Sequence, residues 1–162
     1  MEIFEFNWQC QRCNECCKSM STGVPLLLSD TSRIASFMNI TQQGFIRKYC
    51  DYRIITDEEN GVDIPLLSSQ LQGRTCILFD GSGCTIHAVK PYYCKAAPLI
   101  SLLFTDDGIR EAFKKHCEGV GKGKRFSTSE ILYQIGEEKR LEYEDILEYQ
   151  RSGYSFIDKL IK

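Results

Sequence analysis

Cys10-Gln11-Arg12-Cys13-Asn14-Glu15-Cys16-Cys17 crowds thiols into one short string near the start of the chain. Cysteines three residues apart in a tight loop can turn their sulfurs toward a common centre, a device shared by iron-sulfur loops and zinc knuckles. Together with the helix and hairpin patterns further along the chain, the string fits a small cysteine-rich α+β fold with short hairpins and a helical C-terminus. Cys17 stands apart in this reading. Neighbouring side chains point in different directions on a helix or a strand, so Cys16 and Cys17 are expected not to join easily on one metal.

Working outward, Cys76, Cys84, Cys94 and Cys117 form a second, more widely spaced group. With Cys10, Cys13, Cys16 and Cys17 they make eight candidate ligands, enough for two four-cysteine sites or for one site with four thiols to spare. Sharing between the groups would tie the string to the central hairpins and make metal binding part of the folding free energy. Cys50 ends a helical apolar face and reads as a small buried hydrophobe. His87 follows Cys84 by three residues and reads as a structural, hydrogen-bonded histidine. A nearby cation favours thiolate over thiol, so Lys18, Lys90 and Lys95 are expected to offset the charge of a bound centre. The candidate cofactor is an iron-sulfur cluster of the four-iron kind, or zinc. The C-x2-C-x2-C run favours iron, although the cysteine-proline step that completes the ferredoxin pattern is absent.

The rest of the composition sets the frame for this chemistry. A chain of 162 residues, 43% hydrophobic and 26% charged, has the length of one domain and can enclose a core without covalent staples. The expected organisation is a single domain over 1–162, with a metal core at 10–123 and a helical cover at 127–162. A net charge of -2 gives no overall positive field for nucleic acid or anionic lipid. The first residues lack the cationic and long apolar regions of a secretory signal, and no apolar run reaches the roughly 20 residues that span a bilayer. A cytoplasmic protein is expected, with a protein as partner or substrate. In a reducing compartment nine cysteines, an odd number that includes an adjacent pair, fit metal ligation better than disulfides.

Local patterns sketch the elements. Ser29 or Asp30 is placed to cap a helix through about Asn39, with Ile34, Phe37 and Met38 on one face, and Thr41 to cap a second with Phe45, Ile46 and Tyr49. Residues 52–56 and 62–67 flank a polar Asn60-Gly61 turn and predict a hairpin. Asp80-Gly81-Ser82-Gly83 predicts a tight turn between Cys76 and Cys84, and Pro91 biases Lys90 toward extended backbone. Leu99 to Phe104 and the residues after Asp107-Gly108 suggest another hairpin. Gly119 to Gly123 reads as a flexible turn, since it lacks the order of a phosphate loop. Ser127-Thr128-Ser129-Glu130 has the form of a capping box, and Ile131, Leu132 and Ile135 then recur at helical spacing. Gly153 is expected to break this helix before Tyr154.

Taken in order, several of these pieces resemble the CxxCxxCC, or YkgJ-type, family, to which zinc or iron chelation is ascribed and to which flagellin lysine N-methylase is related. They are Cys10 to Cys17, Leu28-Ser29-Asp30 leading to Arg33-Ile34, Cys76 to Phe79, Gly83 to Ile86, Pro91 with Cys94-Lys95 and Pro98, and Cys117 to Gly121. Asn14-Glu15 stands where the family often has glycine, Lys90 and Lys95 where arginine is common, and His87 where an aromatic residue is frequent. The resemblance implies a metal-binding protein with a redox or metal-handling role. It also implies one alternative, a metal-dependent protein-modifying enzyme such as a lysine N-methyltransferase; a further alternative, from the cysteines themselves, is a structural zinc module for protein contact. Enzyme status stays open, because the sequence carries no established catalytic signature.

Overall fold

Thr41 and Ser127 each open a helix by supplying an oxygen to a backbone N–H that the first turn leaves unpaired. In the computed structural model, which describes residues 5–57 and 62–152, Thr41 Oγ1 accepts from the Gly44 N–H at 3.0 Å. Ser127 Oγ accepts from the Glu130 N–H while the Glu130 carboxylate accepts from the Ser127 N–H, the reciprocal capping box that the sequence predicts. In chain order the elements are β1 (Phe6–Trp8), α1 (Glu15–Lys18), β2 (Pro25–Leu26), α2 (Leu28–Phe37), α3 (Gln42–Tyr49), β3 (Cys50–Asp57) and β4 (Val62–Ser69). There follow β5 (Leu71–Gln72), β6 (Thr75–Cys76), a 3-10 turn over His87–Val89, α4 (Tyr92–Ala96), α5 (Ser101–Thr105), α6 (Asp107–His116), β7 (Lys124–Phe126) and α7 (Thr128–Arg151). The fold is α+β as expected, with small antiparallel sheets and a long C-terminal helix.

The largest sheet has the order β2-β4-β3, with Leu67 between Leu26 and Tyr52 in register. This is the predicted hairpin; its Asn60-Gly61 turn lies outside the described residues, as does the expected break at Gly153. Leu26, Ile34, Ala35, Phe45, Ile46, Leu67, Leu78 and Ile86 bury together under the sheet, and Cys50 joins them as a small hydrophobe. The buried face of α2 is turned from the expected one: Thr31, Ile34 and Ala35 are inside, and Phe37 lies half in solvent. Its cap also differs. Leu27 holds the N-cap position, and Asp30, three residues on, reaches back to accept the Leu27 N–H at 3.2 Å.

A second core joins Leu99, Leu103 and Phe104 to Ile131 and Ile135, with Phe6, Phe113 and Phe126 packed against it. Here the expected hairpin gives way to the helices α5 and α6. Asp106 accepts the Ile109 N–H at 2.9 Å and caps α6, whereas the sequence reading took Asp107-Gly108 as a turn. Glu138, buried on α7, accepts the Ser101 N–H at 2.6 Å and its hydroxyl at 3.0 Å, satisfying the first turn of α5 from outside. The carboxylate is too far along the chain for a local pattern to reveal it. No helix among the described residues is long and apolar enough to cross a membrane.

Candidate metal centre

Arg12 and Asn14 both take left-handed backbone, at φ 55° and φ 64°, and these two reversals turn the chain between Cys10 and Cys16. Asparagine tolerates that conformation better than most residues with a side chain. From Asn14 the chain enters α1, which carries Cys16 and Cys17. The Met20 N–H then donates to the Arg74 carbonyl at 2.9 Å, docking the end of the string beside β6 and Cys76.

Cys84 and Cys94 arrive from the other side on a loop held by α2. Asp80 Oδ1 accepts from the Ser82 N–H, the Ser82 hydroxyl and the Gly83 N–H, closing the predicted turn, and Phe79 pairs with Cys84 across it. Both carboxylate oxygens of Asp30, which is 2% exposed, accept the Tyr92 N–H at 3.1 Å, and Asp30 is ion-paired with Arg33. Arg33 donates in turn to the Val89 carbonyl at 2.6 Å and to the Lys90 carbonyl. Lys90 is extended and Pro91 caps α4, as Pro91 predicts, so Cys94 comes forward on a short helix fastened at its start. The far side of α4 is fastened too: the Tyr93 hydroxyl donates to Glu142 at 2.6 Å and Gln134 Nε2 donates to the Tyr92 hydroxyl at 2.6 Å. Helix α7 is thus a clamp on the cysteine-bearing helix as well as a cover.

The result docks α1, with Cys16 and Cys17, against the strand of Cys76; the charges of Cys84 and Cys76 bear on Cys17, and those of Cys16, Cys84 and Cys76 on Cys94. The neighbouring Cys17 thiol lowers the Cys16 thiol to about 6, with the Cys16 backbone N–H and Lys90 adding to the effect, and Cys16 together with burial pushes Cys17 upward. Burial pushes Cys94 up to about 12, and the charges of Cys16, Cys84 and Cys76 add to it; burial likewise raises Cys84. The Cys76 thiol lies 3.8 Å from Ser69 Oγ.

Of the three lysines, Lys90 is the one whose charge acts on Cys16, Cys84 and Cys94. Lys18 pairs with Glu15 and lies over the Phe79 ring, and Lys95 is exposed on α4. His87 is exposed in the 3-10 turn. Cys10 is exposed and Cys13 half-buried, while Cys117 sits at the end of α6 with its sulfur 3.3 Å from the Trp8 indole nitrogen. Trp8 is a contact the sequence reading passed over; a lone tryptophan two residues before Cys10 was the available signal. The glycine turn after Cys117 is likewise no loose loop: Gly119 O accepts from the Gln9 N–H at 3.2 Å, and the Gly121 N–H donates to Asn7 O at 2.9 Å.

All nine cysteines are free thiols. Among the described residues no three Cys, His, Asp or Glu side chains are already drawn into the sphere of an ion. The donor chemistry nevertheless fits a thiophilic metal: soft sulfur ligands on short loops, some mutually facing, beside a lysine of opposite charge. The profile of the CxxCxxCC family, described as "Putative zinc- or iron-chelating domain", matches residues 9–118. No curated protein and no solved structure matches the chain. Since the matched stretch takes in the N-terminal string and all four downstream cysteines outside the hydrophobic core, the chain belongs to the CxxCxxCC family.

Proposed function

We propose that this protein binds an iron-sulfur cluster of the four-iron kind, or zinc, through Cys10, Cys13, Cys16, Cys17, Cys76, Cys84, Cys94 and Cys117. The observation that carries the reading is the docking of α1, with Cys16 and Cys17, against β6, which ends in Cys76, while the bridge from Phe79 holds Cys84 on the turn that follows. A four-thiolate centre is anionic, and Lys90, with Lys18 and Lys95 nearby in sequence, offsets that charge. A bound cluster supplies one-electron chemistry, and bound zinc supplies a rigid tetrahedral cross-link. The chain's own part is to gather the thiols and hold Cys94 from α2 and α7. The role is redox transfer or metal handling toward a protein partner, in a reducing cytoplasmic setting where the thiols stay available. One folded unit serves it, with the ligands in residues 10–123 and α7 behind them.

Anaerobic purification followed by iron, zinc and sulfide analysis and EPR tests this reading. Stoichiometric iron with sulfide, a visible absorption band and an EPR signal on reduction or oxidation select the cluster. Zinc alone, without a redox response, selects the zinc form. A folded chain that carries neither metal contradicts the proposal.

A further inference from the structure

Cys117 is separated from the string by a hundred residues of chain, yet β1 brings the two together. Its strand pairs with β7, Phe6 opposite Phe126 and Trp8 opposite Lys124, and Trp8 also bridges to Val120. This places the Trp8 indole N–H 3.3 Å from the Cys117 sulfur, in a half-buried setting. The fit at that point is tight. A Cβ on Gly119 would stand 2.3 Å from Gln9 O and 2.9 Å from Trp8 Nε1, so only glycine lets the segment after Cys117 lie against the indole. The chain runs from Trp8 through Gln9 directly into Cys10, so the strand that holds Cys117 also fixes the entry to the string.

We propose that Trp8 is a positioning residue of the metal centre: its indole N–H holds the Cys117 sulfur and, through β1, sets Cys117 beside the Cys10 end of the string. The proposal rests on Cys117 being a ligand. It goes beyond the family match, which begins at residue 9 and leaves Trp8 outside. A donor to a ligating sulfur disperses the charge of the thiolate and fixes its direction, and loss of such outer contacts costs about 10- to 100-fold in metal affinity. Trp8 is also the one tryptophan of the chain, so its emission reports on the sulfur beside it.

The test uses the full-length protein purified anaerobically with its metal, challenged with a chelator while metal release and Trp8 emission are followed. Trp8→β-(3-benzothienyl)alanine keeps the bicyclic ring and removes the N–H donor, which separates the hydrogen bond from the packing. Release at least roughly tenfold faster than wild type is expected, and Gly119→Ala, which must push Gln9 and the indole aside, is expected to shift release in the same direction. Wild-type emission is expected to change as the metal leaves. Equal release rates in wild type and both variants, or emission indifferent to release, overturn the role of Trp8. A wild-type protein with no metal overturns the metal-binding reading itself, a distinct result.

Discussion

Asp30 concentrates several tasks in one buried carboxylate: it caps α2 through the Leu27 N–H, receives the Tyr92 N–H that starts α4, and holds Arg33 against the Val89 and Lys90 carbonyls. Asp30→Ala leaves these donors and a guanidinium without their acceptor, and the expected loss is about 3 kcal/mol in urea denaturation, the range for breaking a buried charged network. Because α4 carries Cys94, metal retention is expected to fall with it. Asp145 is a different carboxylate. It accepts the Leu28 N–H at 2.8 Å, but burial dominates and raises its carboxyl to about 6. Between the ordinary aspartate value and about 6 the folded chain binds more protons than the unfolded one, so this group's contribution is fully present at low pH and is lost as pH rises through that window. Asp145→Asn is therefore expected to flatten stability against pH between about 4 and 6, and to be more stable than wild type above it by about 1 kcal/mol. A denaturation midpoint series across that range reads the difference; parallel curves for the two proteins contradict the assignment. The sequence points to Ser29 or Asp30 as the cap, whereas Leu27 holds that position and Asp30 reaches back to it from three residues on; the bond of Asp30 to Tyr92, sixty-two residues away, leaves no local trace.

Elements whose ends are decided by neighbours in sequence were the legible ones. The hydroxyl of Thr41, the Ser127–Glu130 box and the Asp80 turn each close over three residues, and each stands where residue type and spacing put it. Ser127→Ala removes the N-cap of α7 and is expected to cost about 1 kcal/mol, measured by thermal or urea unfolding, with no change in metal content. Helices α5 and α6 were misread as a hairpin because α5 is only five residues long and its first turn is satisfied by Glu138 from α7. No periodicity within 101–105 carries that information. The setting of the adjacent cysteines is equally hidden from periodicity, since α1 is a single turn entered through left-handed Asn14. Pairing of β1 with β7 spans most of the chain, so Trp8 and Cys117 meet only in the folded protein.

For the whole molecule, the division of labour between the two cores decides what a metal does to the fold. One core lies under the β2-β4-β3 sheet with Cys76 and Cys84 packed at its margin, and the other joins α5 and α7. The string has little apolar packing of its own: Cys10 and Cys16 are exposed, and α1 buries no residue. Its order therefore depends on what its sulfurs hold. Stripping the metal is expected to lower the melting temperature by more than about 5 °C. Hydrogen exchange should rise together in residues 10–17 and 84–94, while the Ile131 to Ile135 turn of α7 stays protected by the second core. Protection lost uniformly, or only at the string, contradicts a centre shared between the two segments. The most direct measurement is X-ray absorption at the edge of the metal in the anaerobically isolated protein. An all-sulfur first shell is predicted, at about 2.3 Å if the metal is zinc, and a shell of nitrogen and oxygen atoms would contradict a centre built from the cysteines.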